Sequence, residues 1–125
     1  MTQLKYGDDF PVGATFTTQA VTVTETHLVN WAGLTMDYYP IHVDKEFAAK
    51  SSFGERLAHG PMIFALAVGL VSISGQGGDA VIAWLGADNM RMTGPVKIGD
   101  TIKVTVEVTE HKPTKDPARG VQVWR

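Results

Sequence analysis

Residues 61–74 read PMIFALAVGLVSIS, and their reading decides the fold. Met62 through Val68, then Leu70, Val71 and Ile73, leave a helix here almost no polar face. A helix that is apolar on every side has to be surrounded by other structure. A bilayer span needs about 20 such residues, so this segment is too short to cross one. Pro61 suits the first helical position, because its fixed φ fits and its missing N–H would have had no intrahelical partner. Three glycines in GQGGD (75–79) end the helix. This stretch predicts a buried core helix, which requires a curved sheet wrapped around it.

Outward from that helix the chain supplies the strands. Upstream, TFTTQAVTVT (15–24) is β-rich, with Val21 and Val23 alternating with threonines. Thr24 or Thr26 then caps a helix whose apolar face is Leu28, Trp31, Ala32 and Leu34. Pro40 stops it, since Tyr39 before a proline is pushed out of the α region. Residues 44–50 form a short helical segment with Asp44 as its N-cap and Phe47 facing inward, and 51–60 is polar and flexible in character. Residues 5–13 read as a loop. Downstream, 80–93 reads as one long strand, or two with a bend at Gly86, and 94–100 as a turn. Residues 101–111 alternate strictly, with Ile102, Val104, Val106 and Val108 on one face. After a turn at 112–120, VQVWR begins another strand. The order predicts an α+β fold, an antiparallel sheet around one helix.

The composition bounds the function classes. With 125 residues we expect a single domain spanning 1–125. Eleven Lys and Arg against 13 Asp and Glu give a formal charge of −2. With no basic cluster, neither nucleic acid nor an anionic membrane is expected as a partner. The N-terminus lacks the basic start and apolar run of a signal peptide. The absence of cysteine excludes disulfides, thiolate nucleophiles and Cys-ligated metals, and fits a cytoplasmic location.

The densest chemistry lies in TMDYYPIHVD (35–44). Asp37 and His42 stand five apart across a proline-stiffened turn, where their side chains can converge. A carboxylate and an imidazole sharing one water form a general acid–base pair. The plainer alternative makes Asp37 a turn cap and His42 a satisfied, half-buried histidine. The second element is Ala58-His59-Gly60-Pro61, at the start of the apolar helix. Helix N-termini present free N–H groups and partial positive charge, and Gly60 has no side chain to block approach, so its N–H can polarise a carbonyl oxygen. The alternative here is a simple helix start with His59 as its cap.

The stretch DYYPIHVDKEFAAKSSFGERLAHGPM (37–62) resembles the MaoC-like dehydratases, the (R)-specific enoyl-CoA hydratase branch of the hot-dog superfamily. That family's pattern is Asp, any residue, Asn, Pro, an aliphatic, His, any residue, Asp, then a His-Gly step opening the central helix. Asp37, Pro40, Ile41, His42, Asp44, His59 and Gly60 match it, and MRMTGPVKIGDTIKVTVEV (90–108) resembles the family's Pro-Val-x-x-Gly-Asp turn and strand. The resemblance covers residues 8–124 and implies a hot-dog fold. It also implies a hydro-lyase that reversibly hydrates a trans-2-enoyl thioester, carried by CoA or acyl carrier protein, to an (R)-3-hydroxyacyl thioester. Asp37 and His42 would hold and activate the water, and the Gly60 N–H would stabilise the enolate-like oxygen. Tyr38, Tyr39, His59, Pro61 and Val68 would lie on the substrate side. Tyr39 stands where the family usually has Asn, and Val68 where some short-chain members carry serine. Relatives usually continue beyond the strand begun at 121–125, so the last sheet edge is expected to be incomplete.

Other readings stay beside this one. A thioesterase, or an acyl-CoA-binding hot-dog module without turnover, would share the fold. A metal site from His42, Asp44 and His59 lacks a convincingly spaced further ligand, so neither metal nor cofactor is expected. His27 and His111 read as surface residues, as do Lys97, Lys112, Lys115, Arg119 and Arg125. Arg91 is the outlier that invites an ion pair. A homodimer or higher homo-oligomer is expected, with the acyl pocket between protomers.

Overall fold

The computed structural model describes residues 6–77 and 80–125. The chain divides into two compact units, one of Met1–Gln19, Gly69–Gly86 and Lys103–Arg125, the other of Ala20–Val68 and Ala87–Ile102.

The first unit is built on an antiparallel sheet of β1 (Thr15–Thr17), β4 (Thr105–Pro113) and β5 (Gly120–Trp124), with β4 in the centre. Its register pairs Phe16 with Val106 and Val108 with Trp124. The register shifts between Val108 and Glu110, a bulge where the Thr109 hydroxyl donates to the Val123 carbonyl at 3.0 Å. The expected alternation holds, since Val106 and Val108 are buried. Trp124 meets Phe10 and Phe16, the latter edge-on at 5.6 Å between ring centroids.

The second unit carries β2 (Val21–Thr22) paired antiparallel with β3 (Thr101–Ile102), and three helices precede the core helix: α1 (Glu25–Thr35), α2 (Pro40–Val43) and α3 (Lys45–Ala49). Thr24 is the α1 cap, and His27 completes a capping box by accepting the Thr24 N–H at Nδ1, 2.9 Å away. The helix ends where Met36 turns left-handed at φ 65°. Leu28 and Ala32 are buried with Val23, Ala58 and Met62, and Trp31, Ile63, Val96 and Ile102 pack against this cluster. Leu34, expected on that face, is exposed; it lies beyond the arc that Leu28 and Ala32 define. Asp44 caps α3 as expected, its carboxylate accepting the Phe47 N–H at 2.9 Å. The inward residue of α3 is Ala48, however, and Phe47 is 45% exposed.

Helix α4 (Gly60–Ile73) begins one residue before the predicted start. Its burial is one-sided in the single chain: Met62 and Leu70 are buried, while Pro61, Ala65 and Gly69 are exposed. Residues 80–93 correct the sequence reading more sharply. They lie in no ladder, and Val81, Ile82, Trp84 and Leu85 are exposed. An apolar run supplies a strand's surface but not its partner, and both edges of β4 are already taken by β1 and β5. Asn89, left-handed at φ 56°, further breaks the extended path. Among the described residues no helix is long and apolar enough to cross a membrane.

Candidate active site

All the central residues of the site lie in the second unit. The left-handed turn at Met36 starts the linker that carries Asp37, whose Oδ1 accepts the Tyr39 N–H at 3.3 Å. Pro40 then opens α2, which carries His42 two residues later. Residues 51–60, expected to be flexible, are tied at their far end. The Leu57 N–H donates to the Ile41 carbonyl at 3.2 Å, and the Ala58 N–H to the Val96 carbonyl at 2.7 Å. Lys97 pairs with Glu55 at 2.9 Å and donates to the Phe53 carbonyl at 3.2 Å.

These ties converge on three side chains. A carboxylate oxygen of Asp37 and one ring nitrogen each of His42 and His59 lie within 4.8 Å of one another. His42 donates from Nδ1 to the Leu57 carbonyl at 2.7 Å. Because that oxygen only accepts, the neutral ring keeps its lone pair on Nε2, the form a general base requires. Asp37 and His42 both remain solvent-accessible.

His59, expected beside the substrate, is instead 0% exposed. Its ring stacks on that of His42, with centroids 3.8 Å apart and planes inclined at 22°. Its Nε2–H donates to the Asp37 carbonyl at 3.0 Å. Its Nδ1 is buried without a partner, at a typical cost of about 1–3 kcal/mol. The stack also bears on metal binding. Two planes this nearly parallel meet well beyond the nitrogens, so both lone pairs cannot point at one ion without a ring turning. Asp44, the other acidic residue considered as a ligand, is occupied in capping α3.

Gly60 opens α4 directly after His59. A Cβ added there would meet Cγ of Met92 at 3.2 Å, so Met92 flanks the helix start. Nothing in the sequence marks Met92, which sits 32 positions away; only the folded chain brings it here. Tyr39 is exposed and lies edge-on to His42 and to Phe47, each at 6.4 Å. Tyr38, also exposed, lies with its hydroxyl near Gly33 of α1. Pro61 and Val68 are exposed on α4, Val68 two turns beyond Gly60. A shallow cleft of about 200 Å³, lined by Trp31, Leu34, Met62 and Leu66 among others, includes none of the site residues. It falls below the roughly 300 Å³ at which ligand pockets begin.

The surface cations are mostly engaged. Lys112, Arg119 and Arg125 each meet a carboxylate, as Lys97 does. Arg91 is exposed and makes no ion pair among the described residues.

The family pattern described as MaoC like domain matches residues 9–123. Protein MaoC of Klebsiella aerogenes is 38% identical over 97% of this chain, which spans 38% of that protein's length. The (R)-specific enoyl-CoA hydratase of Rhodospirillum rubrum is 31% identical over 90% of this chain and 75% of its own. Among solved structures, a monoamine oxidase regulatory protein from Archaeoglobus fulgius superposes with a TM-score of 0.88. It is 35% identical and covers 97% of this chain and 80% of its own. The fold is the α+β hot-dog class expected from the sequence. By its matched length, its fold and the relatives it aligns with, the chain belongs to the MaoC-like domain family.

Proposed function

We propose that the chain is a hydro-lyase that reversibly adds water to a trans-2-enoyl thioester, giving an (R)-3-hydroxyacyl thioester on CoA or acyl carrier protein. Asp37 and His42 hold the water between them. As its oxygen bonds to Cβ, one proton passes to the pair, and a proton is delivered to Cα on the same face. The pair ends unchanged, and one H–OH has crossed the double bond. Charge that develops on the thioester oxygen meets the Gly60 N–H at the start of α4. Tyr38, Tyr39, Pro61 and Val68 are the residues assigned to the substrate side.

The observation that carries this reading is the Asp37–His42 pairing, with His42 Nδ1 committed to Leu57 and Nε2 left as the base. The relative named as an (R)-specific enoyl-CoA hydratase supports the same reaction class. Helix α4 leaves Pro61 and Ala65 exposed in the single chain, which suits a homodimer with a second copy against that face. Sedimentation of the purified protein tests this, and a monomer at all concentrations would remove it.

The test of the activity is a panel of enoyl-CoA and enoyl-carrier-protein substrates of graded chain length and branching. Loss of enoyl absorbance without release of thiol, and an R-configured product, are the expected result. Thiol release would make the protein a thioesterase, and binding without turnover an acyl-thioester-binding module.

A further inference from the structure

We infer that His59 is a positioning residue that holds both arms of the Asp37–His42 pair; the inference rests on the hydratase reading above. Being 0% exposed, His59 presents no surface to a substrate. Its ring nevertheless reaches both groups that do. It stacks on His42 at 3.8 Å, and its Nε2–H donates to the main-chain carbonyl of Asp37 at 3.0 Å. Its own carbonyl accepts the Ile63 N–H at 3.1 Å, which fixes it to the first turn of α4, next to Gly60.

Three separate segments deliver this site, and the one bearing His42 is a short helix tied on its main chain by the Leu57 N–H on the Ile41 carbonyl. Helix α2 is four residues long and buries none of them. The bond to Leu57 fixes which His42 nitrogen carries the proton, but one hydrogen bond leaves the ring free to pivot about it. The His59 ring supplies a wall that removes that freedom. On the other side, Asp37 follows the left-handed Met36, and the bond from His59 fixes the peptide from which its carboxylate projects.

A packing role alone does not explain an imidazole here. Phe or Leu would fill the space without leaving a nitrogen stranded, yet His59 Nδ1 is buried with no partner. The other nitrogen, the one that donates to Asp37, accounts for the choice. By contrast, the His27 ring serves the α1 cap and the His111 ring meets the Phe10 carbonyl.

Three variants of the full chain test the role by kcat, KM, thermal melting and long-range ¹H–¹⁵N spectra of the imidazoles. His59→Phe keeps the wall and loses the N–H. It should lower kcat for crotonyl-CoA by about tenfold or more, with KM changed less than about twofold and the His42 nitrogen shifts retained. His59→Gln restores a donor toward Asp37 and should recover most of that kcat. His59→Ala removes the wall, and the two His42 nitrogens should move toward averaged shifts while the protein still melts cooperatively. If Ala unfolds the chain, Phe and Gln decide the matter. Wild-type kcat in His59→Phe, or a loss equal in Phe and Gln, would overturn the role. So would unchanged His42 shifts in a folded His59→Ala. A wild-type chain that leaves every enoyl thioester intact would instead overturn the hydratase reading, and the His59→Ala spectra would still decide whether His59 positions His42.

Discussion

Met92 lies against the Cα of Gly60 so closely that a Cβ built there would stand 3.2 Å from its Cγ and 3.5 Å from its Sδ. The contact sits where the proposed oxyanion donor is found, and it separates stability from turnover at this position. Met92 is unbranched and 50% exposed, so it can yield to a methyl group. Alanine also favours a helix over glycine by about 1 kcal/mol. Gly60→Ala should therefore change stability by no more than about 1 kcal/mol. Turnover should fall about 100-fold as the methyl crowds the amide. Melting curves and kcat measured on the same sample check both halves. Recovery of turnover in Gly60→Ala with Met92→Ala would assign the defect to the displaced methionine instead.

Asp44 matches the family pattern, yet its carboxylate accepts the Phe47 N–H at 2.9 Å as the cap of α3. Asp44→Ala should cost about 0.5–2 kcal/mol, and Asp44→Ser or Asp44→Asn should recover most of it. Urea denaturation reads the difference. A metal-ligand role would require metal-dependent melting that Asp44→Ala abolishes.

Leu28 is 1% exposed and joins α1 to Val23, Ala58 and Met62. Leu28→Ala should destabilise the protein by about 2–5 kcal/mol, through lost transfer energy and the cavity left behind. Leu34→Ala, on the same helix but exposed, should stay within about 0.5 kcal/mol. A larger loss at Leu34 would mean that its face is covered in solution.

Tyr39 is exposed, with its ring edge-on to His42 at 6.4 Å. Tyr39→Phe keeps that edge and should leave kcat within about twofold, since an isolated aromatic contact is worth only about 0.5–1.5 kcal/mol. A larger effect would show that the hydroxyl takes part in the reaction.

What was legible in the sequence was local. Thr24 and Asp44 act on neighbours within a few residues, and their roles as caps hold, whereas α1 ends at the left-handed Met36, four residues before Pro40, which opens α2 instead. The alternation at Val106 and Val108 holds because β4 finds partners on both sides. The apolar run that opens 80–93 gives no strand, since a ladder depends on a second segment that composition does not specify. Asp37 and His42 stood out because they stand five positions apart with a proline between them. The burial of His59 and the approach of Met92 to Gly60 depend on chain brought in from 22 and 32 positions away, which no local pattern records.

The most direct test of the account is the loss of enoyl absorbance from crotonyl-CoA with wild type, Asp37→Asn and His42→Ala, each checked for folding. If the Asp37–His42 pair activates the water, wild type hydrates the substrate to the R product. Each variant then loses turnover by about 10²–10⁴-fold while its melting stays close to wild type. Hydration at the wild-type rate in both folded variants would contradict the account.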